Sequence, residues 1–224
     1  MKGRLYMKIG LINGSPKQRN SVSETIISQL KGRIEKGNQL IELHFRTNRL
    51  SDQSIGQLAS CDCLVFAFPL YVDGIPSHLL ACLRQLEDYF SKEAKKELRV
   101  YCLVNCGFYE GEQTAIAQDI MKNWCKRATL SWGQGIGIGS GGMVQSVANA
   151  GDDFRLKRNF ARALDMVSKN ILSLSEAENV YINFNFPRLL YKLCGEMGWR
   201  KQIKNEGLKV KDLNRRIDLG DSKG

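Results

Sequence analysis

The chain has 224 residues, 43% of them hydrophobic and 25% charged, so it is long and apolar enough to bury a core and is not expected to be disordered. Lys and Arg outnumber Asp and Glu by 33 to 23, a formal net charge of +10 that makes an anionic partner plausible. No stretch approaches the roughly 18 apolar residues of a membrane span, and the start lacks a secretory signal pattern, so we expect a cytoplasmic protein.

Short apolar runs alternate with helical patterns over the first 172 residues. We predict strands at 8–13, 39–45, 63–68, 98–105 and 130–138, and helices at 21–36, 54–60, 77–90, 112–128 and 153–172. The third strand is apolar throughout, which is typical of a strand that is covered on both faces. Five strands alternating with five helices predict an α/β fold with a doubly wound parallel sheet and helices on both faces.

Helical spacing also predicts which side chains point into the core. In the helix at 77–90 the expected inward residues are Leu79, Leu80, Leu83 and Leu86. In the helix at 153–172 they are Phe154, Phe160, Ala161, Leu164 and Val167.

The last fifty residues differ from the rest of the chain. Residues 179–186 fit either a short strand or an extended arm, and residues 187–199 have a helical pattern. From 200 to 216, seven Lys or Arg residues stand against two acidic ones. We therefore predict a main domain at 1–175 and an extension at 176–224 that is not an independent domain. It serves either as a solvated appendage or as a dimer arm or lid.

Cysteine and histidine spacing gives no sign of a metal site. The seven cysteines include no CxxC pair, and their odd number argues against a disulfide framework. Cys61 and Cys63 form the closest pair, at the start of an apolar run, which favours reduced core cysteines over metal ligands.

The loop after the first strand, residues 14–24, is the strongest candidate for a ligand site. Ligands of open α/β sheets bind at the carboxyl ends of the strands, near the switch in strand order. This loop leads into a helix N-terminus and adds Lys17 and Arg19, a combination that suits a phosphate monoester. It matches neither the P-loop nor the dinucleotide-binding glycine pattern. A tight turn with an N-capping Ser21 or Ser23 is the alternative.

Three further loops at this edge have unusual compositions. Residues 69–77 are apolar and aromatic with two prolines, which predicts the wall of a flat heteroaromatic site, with packing beneath another loop as the alternative. Residues 105–113 carry glycines, aromatics and polar groups that could close over the opposite edge of the same ligand. Residues 137–143 are rich in glycine, which allows close approach of backbone to a ligand or to a second subunit.

Three segments together resemble the flavodoxin-like FMN-binding oxidoreductases. The first reads Asn13-Gly14-Ser15-Pro16-Lys17 with Asn20-Ser21, the second is Phe-Pro-Leu-Tyr-Val-Asp-Gly-Ile-Pro at 68–76, and the third is Asn-Cys-Gly-Phe at 105–108 with Glu110. This superfamily contains NAD(P)H-dependent FMN reductases, quinone reductases and multimeric flavodoxins. The resemblance spans residues 8–172 and implies a flavodoxin-like five-stranded sheet in the order 2-1-3-4-5.

The resemblance also implies an FMN site. The phosphate would be held in the first loop by Ser15, Lys17, Asn20, Ser21 and Ser23. The isoalloxazine ring would lie on Pro69, Leu70, Tyr71, Val72, Asp73 and Gly74. Its pyrimidine side would be lined by Asn105, Cys106, Gly107, Phe108 and Glu110. No side chain is expected to act as a catalytic acid or base, and no iron–sulfur cluster is expected because residues 46–56 contain no cysteine.

The function implied is transfer of electrons from NADH or NADPH through bound FMN to a quinone or similar small acceptor, in a homodimer or higher homo-oligomer. The alternative is a flavin-bearing electron-transfer or redox-sensing protein that works with a protein partner. Nucleic-acid binding is suggested by the net charge alone, without a recognition helix or a basic–aromatic motif, so we expect no nucleic-acid partner.

Overall fold

A computed structural model describes residues 6–93 and 97–214. Its strands are β1 (Lys8–Asn13), β2 (Gln39–His44), β3 (Cys63–Pro69), β4 (Arg99–Asn105), β5 (Ser131–Ile138) and β6 (Val180–Ile182). Its helices are α1 (Val22–Ile34), α2 (Asp52–Ala59), α3 (Ser77–Glu93), α4 (Ala115–Arg127), α5 (Gly142–Ser146), α6 (Arg158–Ser173) and α7 (Arg188–Asn205). The strands form one parallel sheet in the order β2-β1-β3-β4-β5-β6.

The expected count of five strands is wrong, because β6 adds a sixth at the edge of the sheet. It pairs with β5, with Val180 opposite Ile136 and Ile182 opposite Ile138. Of the two alternatives for residues 179–186, the strand is therefore the observed one. Three residues are too few to show the alternating pattern of a strand, so β6 depends on its partner and not on a local signal.

The continuous apolar run of β3 supplies two cores, one on each face of the sheet. Its even-numbered residues, Leu64, Phe66 and Phe68, are buried in the cluster that includes α3 and α4. Its odd-numbered residues, Cys63, Val65 and Ala67, are buried in the cluster that includes α1 and α6. Successive side chains of a strand point to opposite faces, which is why a strand covered on both sides must be apolar at every position.

Two of the predicted inward residues are exposed. Leu79, Leu83 and Leu86 are buried, but Leu80 is 44% exposed because it lies one residue, about 100°, away from their stripe. Phe154 is 45% exposed because α6 begins at Arg158, after a series of turns.

A buried lysine holds the turns before α6. Lys157, with only 3% of its side chain exposed, donates from Nζ to the Ala150 carbonyl at 2.9 Å and pairs with Asp152 at 2.9 Å. Residues 153–157, which were expected to be helical, instead form turns that these contacts hold.

The chain divides into two compact units, one ending at Asn185 and one beginning at Phe186. The second contains α7 and a 3-10 turn at Val210–Asn214, and no residue of α7 is buried. The predicted helix at 187–199 is confirmed and continues to Asn205. Arg215 and Arg216 of the basic segment lie outside the described residues. Among the described helices, none is both long and apolar enough to cross a membrane.

Candidate functional site

Four loops leave the same edge of the sheet at one level. Asn13 at the end of β1 lies opposite Ala67, Pro69 at the end of β3 lies opposite Asn105, and Asn105 lies opposite Ile138. Because the strands are parallel and in register, the loops after β1, β3, β4 and β5 begin side by side. The four segments chosen from the sequence are therefore neighbours, in the order in which their strands are placed.

Ser21 caps α1 at the end of the first loop. Its Oγ accepts the N–H of Glu24 at 3.0 Å, and the Glu24 carboxylate accepts the Ser21 N–H at 3.3 Å, which makes a complete capping box. Of the two capping candidates, Ser21 is thus the observed one. Within the described residues, the N–H groups of Val22 and Ser23 have no hydrogen-bond acceptor, as is usual in the first turn of a helix.

The first loop is ordered by short hydrogen bonds along its own length. The Asn13 side chain accepts the Ser15 N–H at 3.0 Å, and Ser15 Oγ accepts the Lys17 N–H at 3.3 Å. Lys17 Nζ reaches the Asn20 carbonyl at 3.1 Å. Residues 16–20 are all exposed, so the cations of Lys17 and Arg19 are accessible to an anion.

Ser23 and Asn105 form a buried brace beneath the loops. The Asn105 amide donates to Ser23 Oγ at 3.0 Å and to the Phe68 carbonyl at 3.1 Å. Ser23 is 1% exposed and Asn105 is 4% exposed. These bonds join α1, β3 and β4, a structural role that the sequence did not suggest. Direct contact of either side chain with a ligand stays a prediction.

The second loop contains a tight turn that exposes apolar side chains. The backbones of Tyr71 and Gly74 exchange two hydrogen bonds of 3.0 Å, and the residues between them, Val72 and Asp73, have φ of 46° and 58°. Two left-handed central residues define a type I′ turn, and a β-branched residue is costly in that region. Val72 is fully exposed and Tyr71 is 48% exposed. Strain and exposed apolar surface at one turn are both typical of a binding site.

The third loop combines a buried thiol with an exposed ring. Cys106 is 3% exposed, and its Sγ lies 3.5 Å from the Glu110 carbonyl oxygen. Burial raises the pKa of the Cys106 thiol to about 11, so it is neutral at physiological pH. Phe108 is 53% exposed. This side of the site thus offers an aromatic surface and no charged sulfur.

The glycine-rich fourth loop packs closely against the third. Ser140, fully buried, donates its N–H to the Phe108 carbonyl at 2.5 Å, and the Gly141 N–H donates to the Cys106 carbonyl at 2.7 Å. A Cβ at Gly139 would overlap the Tyr109 carbonyl oxygen. The close approach expected for this loop is therefore made with a neighbouring loop.

Sequence reasoning missed Gln145, and it chose the loop at 137–143 without assigning a role to Ser140. Ser140 holds the third loop, and Gln145 donates from Nε2 to the Asn20 carbonyl at 2.7 Å. Gln145 belongs to no recognisable motif and is 125 positions away from its partner, so no local signal could have identified it. Among the described residues, no group of three or more His, Cys, Asp and Glu side chains could hold a metal ion.

Comparison with known proteins identifies the fold. No family model and no curated protein sequence matches the chain. Among solved structures, an apo NADH:FMN oxidoreductase matches with a TM-score of 0.56 and 16% identity over 77% of this chain and 91% of that one. The NAD(P)H:quinone oxidoreductase from Methanothermobacter marburgensis matches with a TM-score of 0.54 and 13% identity, over 74% and 96%. Smu.1420 from Streptococcus mutans UA159 matches with a TM-score of 0.52 and 13% identity, over 73% of this chain and 100% of that one.

At these identities the likeness shows the fold and nothing finer. The strand order of the first five strands, 2-1-3-4-5, is that of the flavodoxin-like fold. The chain thus has the flavodoxin-like architecture that the resemblance implied, extended by β6.

Proposed function

We propose that this protein is an FMN-dependent oxidoreductase that takes electrons from NADH or NADPH and passes them to a quinone or a similar small acceptor. The observation that carries the proposal is a pairing of two chemistries at one sheet edge. A loop with accessible cations and helix N–H groups follows β1, and exposed apolar loops follow the neighbouring strands β3 and β4. FMN combines a phosphate monoester with a flat heteroaromatic ring, so it matches both.

The first loop fits a phosphate in its donor set. Lys17 and Arg19 are exposed cations, and the α1 N-terminus contributes backbone N–H groups and the positive end of the helix dipole. Ser15, Asn20 and Ser21 add polar groups in the same loop. The Glu24 carboxylate is the acidic group in the first turn of α1, and it accepts the N–H of Ser21 in the capping box. We propose that the phosphate lies on the cation side of the loop.

The second and third loops fit a planar ring. Tyr71, Val72 and Phe108 are exposed to water, which is unfavourable for large apolar side chains unless something covers them. The turn at 71–74, closed by two backbone hydrogen bonds, gives a surface for one face of a ring, with Pro69 and Leu70 leading into it. Gly107 adds no side chain that would obstruct the ring edge.

FMN, when bound, supplies the hydride and electron chemistry, and the protein supplies binding and orientation. In this proposal the first loop holds the phosphate and the 69–74 loop supports the ring. The third loop presents backbone groups along the ring edge, and the Cys106 thiol, which burial keeps neutral, adds no charge of its own. The names of two structural neighbours, an NADH:FMN oxidoreductase and an NAD(P)H:quinone oxidoreductase, support the choice of donor and acceptor.

A flavin titration followed by turnover tests the proposal. The purified protein should quench FMN fluorescence saturably, and the complex should oxidise NADH or NADPH when a quinone is added. A protein that shows no quenching and no spectral change with FMN would overturn it. By the same resemblance we propose a homodimer or higher homo-oligomer, which light scattering of the purified chain would test.

A further inference from the structure

One long-range hydrogen bond reaches the exposed part of the first loop. Gln145 of α5 donates from Nε2 to the Asn20 carbonyl oxygen at 2.7 Å. In the described structure, the other hydrogen bonds of residues 16–20 join the loop to itself, through Ser15, Lys17 and Asn20. Gln145 therefore links this exposed segment to α5, which is distant in the sequence.

Asn20 decides how the loop enters α1. Its φ of 54° places it in the left-handed region, which Asn tolerates better than most residues, and its carbonyl also accepts Lys17 Nζ. A trans peptide is planar, with its C=O and N–H pointing in opposite directions. Holding the Asn20 carbonyl therefore also fixes the N–H of Ser21, the residue that caps the helix.

The segment that carries Gln145 is fastened to the same helix that the loop enters. Gln29 of α1 donates from Nε2 to the Ala148 carbonyl at 3.1 Å, and Arg33 of α1 pairs with Asp152. Val144, next to Gln145, is fully buried. The segment that carries Gln145 is thus held against α1. The hydrogen bond from Gln145 connects this segment to the loop that leads into the same helix.

We infer that Gln145 is a positioning residue that holds the first loop ready for a phosphate, an inference that rests on the proposed function. Residues 16–20 are exposed and would lose conformational freedom on binding. A loop that is already ordered loses less, which raises affinity. Gln145 itself touches Asn20 and need not touch the ligand. Its loss should weaken binding of a flavin that carries a phosphate and spare one that does not.

The first test compares FMN with riboflavin, which has the same ring and no phosphate. Fluorescence titrations of the full chain would use wild type, Gln145→Ala, Gln145→Glu and the adjacent control Ser146→Ala. Loss of one hydrogen bond predicts an FMN Kd raised about three- to tenfold in Gln145→Ala. The riboflavin Kd should stay unchanged, so the ratio of the two affinities shifts. Gln145→Glu should raise the FMN Kd by at least as much, because its carboxylate cannot donate a hydrogen bond to the Asn20 carbonyl.

The second test needs no flavin. Amide hydrogen exchange of the segment 16–24 in the free protein should become faster in Gln145→Ala and stay at the wild-type rate in Ser146→Ala. Unchanged exchange, unchanged FMN affinity, or equal weakening of FMN and riboflavin would each overturn the inference. Failure of the wild-type chain to bind FMN would instead overturn the proposed function, and the phosphate assignment with it.

Discussion

Lys17 and Arg19 are the residues on which the proposed phosphate site depends most. Both are exposed, and within the described residues neither forms an ion pair with an acidic side chain. A cation without a fixed counterion is available to an incoming anion, and its attraction is weakened by salt. The two cations of this loop, and not the net charge of +10, are therefore proposed to attract the phosphate.

Replacing Lys17 and Arg19 together by Ala should raise the FMN Kd by about tenfold or more, since hydrogen bonds to charged groups contribute about 1.5–3 kcal/mol each. Titration at two salt concentrations should also show a smaller salt dependence in the variant. The matched control is Lys122→Ala with Lys126→Ala, which removes the same charge from exposed positions of α4. An equal loss in the control would mean that the general field, and not the loop, attracts FMN.

Burial separates the cysteines by reactivity. Cys194 is exposed, whereas the other six are buried, and burial raises the pKa values of Cys82 and Cys106 to about 11. The thiolate is the reactive form, so at pH 8, well below these values, such thiols are neutral as well as inaccessible. We expect native protein to react with a disulfide reagent in one fast phase of one thiol, and Cys194→Ser to abolish it. A fast phase that persists in the variant would contradict the buried placement.

At the scale of elements, the glycine-rich end of β5 and the loop after it brace the third loop. Ser140 and Gly141 donate to carbonyls of that loop, and Gly139 lies against the Tyr109 backbone. Backbone cannot move aside as a flexible side chain can, so added volume here must displace a loop of the candidate site.

Gly139→Ala should therefore lower the free energy of unfolding by about 1–3 kcal/mol through overpacking. Gly142→Ala is the matched control, because a Cβ at this helical position meets no atom within 4 Å. It should be neutral or more stable by up to about 1 kcal/mol, since Ala favours a helix. Urea unfolding of both variants measures the difference. Equal stability of the two would show that the loops can separate without cost.

For the whole molecule, the net charge is divided between the sheet unit and the C-terminal unit. Residues 186–224 carry 10 Lys and Arg against 5 Asp and Glu, so half of the net charge of +10 lies beyond Asn185. Every candidate FMN residue, and Gln145, lies before that point. We propose that the C-terminal segment is an extension and not an independent domain, in keeping with an α7 that buries no residue of its own.

A chain that ends at Asn185 should keep its sheet and bind FMN with a Kd within about twofold of the full chain, because the compact unit that ends there contains every candidate FMN residue. Circular dichroism and fluorescence titration would measure both properties. The segment 186–224 expressed alone should show no cooperative unfolding. A truncated protein that folds but loses FMN would show that the extension completes the site.

Local signals in the sequence were enough to predict the alternation of strands and helices and the loops that would form a ligand site. Apolar periodicity, capping residues and turn residues are local signals, so strands β1 to β5 were found within two residues of their observed bounds. The same local character explains the errors at β6, Leu80 and Phe154. β6 has only three residues, too few for a pattern. Leu80 is one position away from the buried stripe of its helix, and Phe154 lies in turns that replace the first part of the expected helix.

The polar side chains that brace the site could be identified only from the folded structure. Asn105 supports Ser23, Ser140 holds the third loop, and Gln145 reaches Asn20 across 125 positions. Such contacts depend on where distant segments meet in the folded sheet, and a single sequence carries no periodic or local trace of them. The positions of the loops could therefore be predicted, whereas the residues that hold them could be identified only after the strands had been placed side by side.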